Sequence, residues 1–442
     1  MPILAKTTLV VLLLVVCALS FAVSGQTNCP HLQSGLVNFS TLSGWNVQGS
    51  DIVISGQNVL VDQTSSAVLR SIVVESGSSL IFNNVVLNLN VEFIKVKSGG
   101  SFIMGSATCP ITNKIIVTFY GNRTTENIIG SDPADATTTG YKGLVTMTGS
   151  SIACYGEVYG PTWTDLDVTA KKGTSTITVR QNTSWRVGDK LVIATTDYSD
   201  LYHWSDIVPQ SLEWKKGFGF KDQNEERTIT QVVNSRTFIL NSPLNYTHFG
   251  EGDQRAEVGV LNRNIVFQGD ASSDTSQFGG HIMLRPGPRA EIKGIELTRM
   301  GLAGIMGRYP IHFHVWGEKA FENVGNYFVN DSSIHHTYQR CIVVHDTNGL
   351  TISGNICFSN KGHQFFLEDG VEMGNQFLYN LGIKPIPVAN EDSYQLLRSD
   401  SEVASLWITN ANNSFIGNHL VGGKHPIWFT QPKDATGKFV VT

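Results

Sequence analysis

The chain has 442 residues, a formal net charge of −5, 16% charged residues and 43 glycines. That balance excludes an overall basic field for nucleic acid, and so few charges among so many glycines exclude long solvent-exposed helices. The length is enough for two or three domains.

Residues 1–6 carry one positive charge, residues 9–23 are almost wholly apolar, and Ser24-Gly25 supplies small residues for cleavage. This predicts a secretory signal peptide over residues 1–25 rather than a membrane anchor. No later stretch is apolar enough to span a bilayer, and no hydrophobic tail suits a lipid anchor. A secreted, soluble chain is expected. Six N-x-[ST] sequons, at Asn38, Asn122, Asn182, Asn245, Asn330 and Asn412, predict surface glycans. Cys17 leaves with the signal. Cys29, Cys109, Cys154, Cys341 and Cys357 remain, an odd count that leaves one thiol over in an oxidising compartment. Cys109–Cys154 is one candidate pair. Cys341 and Cys357 either pair or sit as buried thiols.

Two-residue alternation follows. Asp51-Ile-Val-Ile, Val59-Leu-Val, Ser71-Ile-Val-Val, Ser79-Leu-Ile-Phe, Phe93-Ile-Lys-Val and Ile115-Ile-Val-Thr-Phe read as short strands separated by Gly, Asn and Ser. In the last third, Gly-Asn recurs at residues 325, 354, 374 and 417, and residues 333–346 overlay residues 355–368 with an offset of 22. That is one turn of a β-solenoid, whose turns must stack to bury their apolar faces. Corner asparagines are expected to form side-chain ladders.

The segments at 49–62, 80–82, 96–105 and 114–121, with Trp45, resemble the G8 domain. Its recurrent glycines serve turns that need a positive φ. Residues 184–194, 225–229, 243–248 and 256–269 resemble the connecting β domain of fibrocystin-L and the cell-surface hyaluronidases. Gly307-Arg-Tyr-Pro-Ile-His-Phe-His314 is similar to that family's most distinctive segment. The resemblance implies an all-β, right-handed parallel β-helix. A G8 domain (26–165) and C-terminal β-helix repeats (266–442) are joined by a small β domain (166–265). It also implies an extracellular glycan as partner, of the acidic glycosaminoglycan type.

Nine of the twelve histidines lie at or after His281, which places imidazole chemistry in the β-helix. Alternation puts Arg308, Pro310, His312 and His314 on one face of a strand, with Tyr309, Ile311, Phe313 and Val315 on the other. Two histidines and an arginine suit an anionic sugar, with imidazole available for proton transfer. The plainer role is fixing neighbouring turns. The spacing from Gly307 through His312, His314 and Glu318 to Gly325 nearly matches a cupin metal motif. It is one residue short, however, and the later turns do not suit a jelly roll. A metal held by His312, His314 and Glu318 is an expectation independent of that fold. The 22-residue offset stacks Asp346 on Glu368, a carboxylate pair suited to glycan cleavage or, with Asp369, to Ca2+. A solvated acidic ladder explains it equally. His335, His336 and His363 fall in the same stack as candidate substrate contacts. Arg285, Arg289 and Arg299 precede the motif as a candidate basic patch. Asp51 and Asp62 are further candidates in the G8 region, where the hyaluronidases' activity partly resides; turn capping is their structural alternative.

Two functions therefore stand: a polysaccharide depolymerase of the hyaluronidase type, or a non-catalytic glycan-binding or adhesion protein of the fibrocystin-L type. The end at Thr442, where the hyaluronidases continue, weighs against the enzyme. Residues 431–442 are a candidate cap for the last turn.

Overall fold

The structure, a computed structural model, describes residues 29–123, 142–196, 222–318, 325–388 and 393–430. The expected signal peptide, Cys17 and the tail 431–442 lie outside the described residues. The rest is a parallel β-helix carrying one inserted antiparallel domain.

Each turn of the coil crosses three faces. The first face is a ten-stranded parallel sheet from Val37–Asn38 to Ser414–Ile416. The second runs from the start of Leu87–Val96 through Ile115–Phe119, Ile265–Gly269 and Ser333–Thr337 to His419–Val421. The third runs from Asp51–Ile54 through Gly143–Thr146, His281–Leu284 and Ile311–Gly317 to His425–Phe429. Alternation works as the strands require: Ile52, Ile54, Val59 and Val61 are buried while Asp51 and Val53 are exposed. The inward residues of all three faces merge into one core from Phe39 to Ile408. No turn has a core of its own, so the apolar burial is realised only by stacking.

Glycine is required at one corner of the G8 region. Gly77, Gly99 and Gly149 sit directly above one another, all with φ between 71° and 86°. Each passes its N–H to the next carbonyl, Gly77 to Gly99 at 3.0 Å and Gly99 to Gly149 at 2.9 Å. A side chain there is strained by its own backbone.

Asparagine takes over at the later corners. Asn355 and Asn380 are fully buried. The Asn355 N–H and Nδ2 both donate to Asn380 Oδ1 at 3.0 Å, and Asn380 repeats this on Asn418 at 3.0 and 2.9 Å. A second ladder joins Asn375 to Asn413. These side chains supply partners that a turning backbone lacks.

The expected ladder is present, but the offset is 23 rather than 22. Ile334 pairs with Cys357, Ile342 with Phe365 and Val344 with Leu367. A one-residue slip moves every side chain to the opposite face, so Asp346 does not stack on Glu368. His345 occupies that place.

The inserted domain leaves the coil after Ser151–Tyr155 and returns at Ile265–Gly269, where the Glu157 N–H donates to Asn264 Oδ1 at 2.9 Å. Its antiparallel strands close over Leu166, Ile177, Leu191, Phe238 and Val258. It docks on the second face through Val192, Ala194 and Leu261 against Ile356, Phe358 and Leu381.

The expected Cys109–Cys154 pair does not form. Cys109 is bonded to Cys29, Cys341 to Cys357, and Cys154 is a buried free thiol inside the core. It points inward from a first-face strand, and burial pushes its thiol far up. Five sequon asparagines are exposed. Asn330 is half-buried, with its Oδ1 enclosed and lacking a hydrogen-bond partner.

Two outcomes are expected. Alkylation of the native protein will leave Cys154 unmodified and label it only after unfolding, while non-reduced peptide mapping will link Cys29 to Cys109. Asn380→Ala strands buried groups on Asn355 and the Ile352 carbonyl, and should cost about 3 kcal/mol in chemical denaturation.

Candidate functional site

The third face brings the histidines together. Ile311 and Phe313 point into the core, so His312 and His314 point out. Parallel pairing then sets files of outward residues. Met283 pairs with His312, which brings Arg285 beside His314. His314 pairs with His345, and the next register position along is Glu368. The file therefore reads Arg285, His314, His345, Glu368. Beside it run His312, Val343, Phe366, Trp407 and Trp428.

His314 Nδ1 lies 3.0 Å from His345 Nδ1. One ring nitrogen from each of His312, His314 and His345 lies within 4.8 Å of the other two. Glu368 Oε2 is 3.8 Å from His312 Nε2 and 3.9 Å from His345 Nδ1. Around this core are fixed partners. His312 Nδ1 donates to the Gly307 carbonyl at 3.0 Å, His345 Nε2 to Asp369 at 2.7 Å, and the Tyr309 hydroxyl to Glu368 Oε1 at 3.2 Å. His312 Nε2 and Glu368 Oε2 are buried and have no hydrogen-bond partner.

Electrostatics divides the cluster. Burial holds His312 well below the usual imidazole range, and His314, His345 and Arg308 add to this. Burial, then His345, Arg285 and Arg308, lower His314 to about 4. For His345, burial disfavours the cation, but the bond to Asp369 and the charges of Glu368 and Asp369 prevail and raise it. Burial raises Glu368 against the pull of His345 and Arg340. The hydrogen bond to His345 holds Asp369 below its ordinary value.

Corner segments wall the site. Tyr309 does not face the interior with Ile311, as the alternation predicted. It precedes the strand, which begins at Ile311, and packs on Val343 and Phe366 with its ring 4.9 Å from that of His312. Arg340 is fully buried behind it on Asp400 at 2.6 Å, its guanidinium 4.6 Å from the Phe366 ring. On the other side the strand bulges after His314, and exposed Val315 takes φ 58°. A β-branched residue in that region is strained, and bulges of this kind aim neighbouring side chains.

Of the expected site residues, His312, His314, Glu368, Asp369, Arg285 and Arg308 gather here. Others do not. Asp346 sits at a corner with φ 42°, its N–H donating to Glu372. Glu318 accepts from Asn348 at 2.8 Å and is not among the converging donors. His335 and His336 belong to the second face, where they meet Glu296 at 3.3 Å and Glu226 of the inserted domain at 3.0 Å. His363 is a buried brace that accepts the Ala404 N–H at 3.0 Å and stacks on Phe366. Arg299 holds the Gly269 carbonyl at 3.0 Å, and Arg289 on the first face approaches Glu291 at 3.8 Å. Asp51 is bound by Arg70 and Ser71, Asp62 by Ser40. Asp51 lies five strands from Ile311–Gly317, about 24 Å at the usual strand spacing, so the G8 carboxylates are no part of this cluster. Sequence reasoning missed His345 and Tyr309. An offset of 23 would have exposed the first.

The G8 domain family matches residues 41–167, and the CEMIP beta-helix family matches residues 277–441, the segment that carries the cluster. The chain therefore carries a G8 domain and a CEMIP-type β-helix. A G8 domain-containing protein of Dictyostelium discoideum is 35% identical over 91% of this chain and 27% of its own length. Communication mutant protein F of the same organism is 31% identical over 90% and 35%. Human fibrocystin-L is 30% identical over 85% and 9%. This G8 chain thus spans about a third or less of these relatives. Among solved structures, the tailspike of Pseudomonas phage phi297 aligns with 76% of this chain and 50% of its own at 10% identity, with a TM-score of 0.22. Among the described residues no helix is long and apolar enough to cross a membrane.

Replacing Val315 with Asn, which tolerates a left-handed backbone, should raise stability by about 1 kcal/mol. Thermal unfolding of Val315→Asn beside the wild-type protein measures it.

Proposed function

We propose that this G8 protein shortens an extracellular acidic polysaccharide of the hyaluronan type at the outward cluster of Tyr309, His312, His314, His345 and Glu368. The observation that carries the reading is the pair of buried, unsatisfied atoms, His312 Nε2 and Glu368 Oε2, facing each other at 3.8 Å. An unmade buried hydrogen bond costs about 1–3 kcal/mol. A cluster serving only to fix turns would satisfy both atoms, as the Asn380 ladder does. Left open on an outer face, they suit a bound ligand.

The surroundings support a sugar. Arg285 and Arg308 stand close enough to depress His314 and offer cations to an anionic polymer. Glu368, oriented by the Tyr309 hydroxyl, is positioned to exchange a proton with a glycosidic oxygen. The sequence's likeness to the cell-surface hyaluronidases points to the same substrate class, which is extracellular. The two disulfides agree with that compartment.

A second reading rests on a separate observation. Phe366, Trp407 and Trp428 form an aromatic file along the same face, with ring centroids 5.7 and 5.3 Å apart. Half-buried tryptophans in such a file suit stacking of sugar rings in a glycan-binding protein without catalysis.

High-molecular-weight hyaluronan incubated with the purified protein, with calcium and with chelator, separates the readings by size-exclusion analysis. Depolymerase activity is expected to fall at least 100-fold in Glu368→Gln and in the His312→Ala/His314→Ala double variant. Unshortened polymer with wild-type protein would sink the enzyme reading for this substrate. Retained binding that Trp428→Ala then weakens would favour the second.

A further inference from the structure

We infer that His312, His314 and His345 form a binding site for one divalent transition metal of the zinc class. Their donor atoms are His312 Nε2, His314 Nδ1 and His345 Nδ1. Two of the tautomers are set by fixed partners. His312 has its Nδ1–H committed to the Gly307 carbonyl, which leaves the Nε2 lone pair for another partner. His345 has its Nε2 committed to Asp369 at 2.7 Å, which leaves Nδ1. A histidine whose second nitrogen is fixed by a carbonyl or carboxylate is the usual arrangement around a metal.

The remaining ring nitrogens converge. Ligands at the usual zinc–nitrogen distance of about 2.0–2.1 Å in a tetrahedron stand about 3.3 Å from one another. His314 Nδ1 and His345 Nδ1 are 3.0 Å apart, and all three imidazoles offer nitrogens within 4.8 Å. The third donor supplies an independent observation: His312 is 1% exposed, and its Nε2 is buried with no hydrogen-bond partner. Without a metal, His314 Nδ1 and His345 Nδ1 share one proton in a hydrogen bond at 3.0 Å; a cation that displaces this proton takes up both lone pairs.

Glu368 completes the geometry. Its Oε2, also buried without a partner, lies 3.8 Å and 3.9 Å from two of the three donors. Three histidines with an open fourth position are the donor set of a catalytic rather than a structural metal. Glu368 either fills that position or accepts a hydrogen bond from water held there. Three nitrogen donors fit zinc, cobalt or nickel; calcium and magnesium prefer oxygen. The Asp346–Glu368 pair that would have offered calcium two stacked carboxylates is not formed.

The site rests on this cluster but not on the proposed substrate, and its test needs no glycan. The full chain is stripped with chelator, dialysed and titrated with Co2+ and with Zn2+. One equivalent per chain is expected, with visible cobalt absorption of the intensity characteristic of four-coordination, lost on adding zinc. His312→Gln and His345→Gln should weaken zinc binding at least 100-fold. Asp369→Asn, whose side chain is half-exposed, should weaken it 10- to 100-fold through its hold on His345. Because it lies at the surface, it serves where the buried variants fail to fold. His419→Gln, altering a distant Asp165–Glu257–His419 group, should leave binding unchanged. No stoichiometric metal on wild-type protein at micromolar zinc, an octahedral cobalt spectrum, or loss of binding with His419→Gln alone would each overturn the inference. Metal bound without polymer cleavage would sustain this site and defeat the enzyme reading. Cleavage by a wild-type protein that takes up no metal would do the reverse.

Discussion

Everything in this molecule depends on the register with which one turn of the coil sits on the next. A turn contributes three short strands, and its inward side chains find partners only above and below. Backbone pairing alone tolerates a slip. What fixes the step is the corner chemistry. The glycine file at Gly77, Gly99 and Gly149 allows the chain to bend where a side chain would be strained by its own backbone. The Asn355, Asn380 and Asn418 file inserts an amide into each following turn, so a displaced turn would leave buried amides unmade.

The cluster on the third face inherits that precision. His314, His345 and Glu368 come from three turns, separated by 31 and then 23 residues, yet they stand in one file. No local motif holds them together. The corner segments add the remaining groups. Tyr309 reaches over from one side, and the strained Val315 forms the bulge on the other. The chemistry of the cluster is also collective. Burial lowers both His314 and His345; His345 alone is turned upward, by its hydrogen bond to Asp369 and the neighbouring carboxylates of Glu368 and Glu372, while the cationic neighbours His345, Arg285 and Arg308 depress His314 further.

The strands and the solenoid were legible because a two-residue period and a recurring corner signal need no tertiary information. The outward placement of His312 and His314 followed from the same period. The register was less legible. Overlaying Asp346 on Glu368 matched acid with acid, whereas the coil aligns core with core: Val344 on Leu367, Ile342 on Phe365. Packing sets register, and similarity of polar residues misled. Corners were the other blind spot. Their lengths vary from turn to turn, so periodicity says nothing about Tyr309 or about which cysteine meets Cys109. Cys154 lies nearer than Cys29 in sequence, 45 residues against 80, but its strand turns that side chain inward. His335 and His336 looked like site residues because the inserted domain that meets them on the second face leaves no trace in the repeat.

That inserted domain enters and leaves at adjoining points, with Glu157 bonded to Asn264 across the gap. The coil on either side proceeds as though uninterrupted: Ile265–Gly269 pairs with Ile115–Phe119, which precedes the insertion, and with Ile295–Thr298, which follows it. About a hundred residues are thus a graft on a scaffold that asks only for matching ends. In evolutionary terms, such a scaffold is free to exchange the appendage on one flank while keeping the histidine-bearing face. Descendants of one ancestor can then differ in what they attach to without differing in what they do.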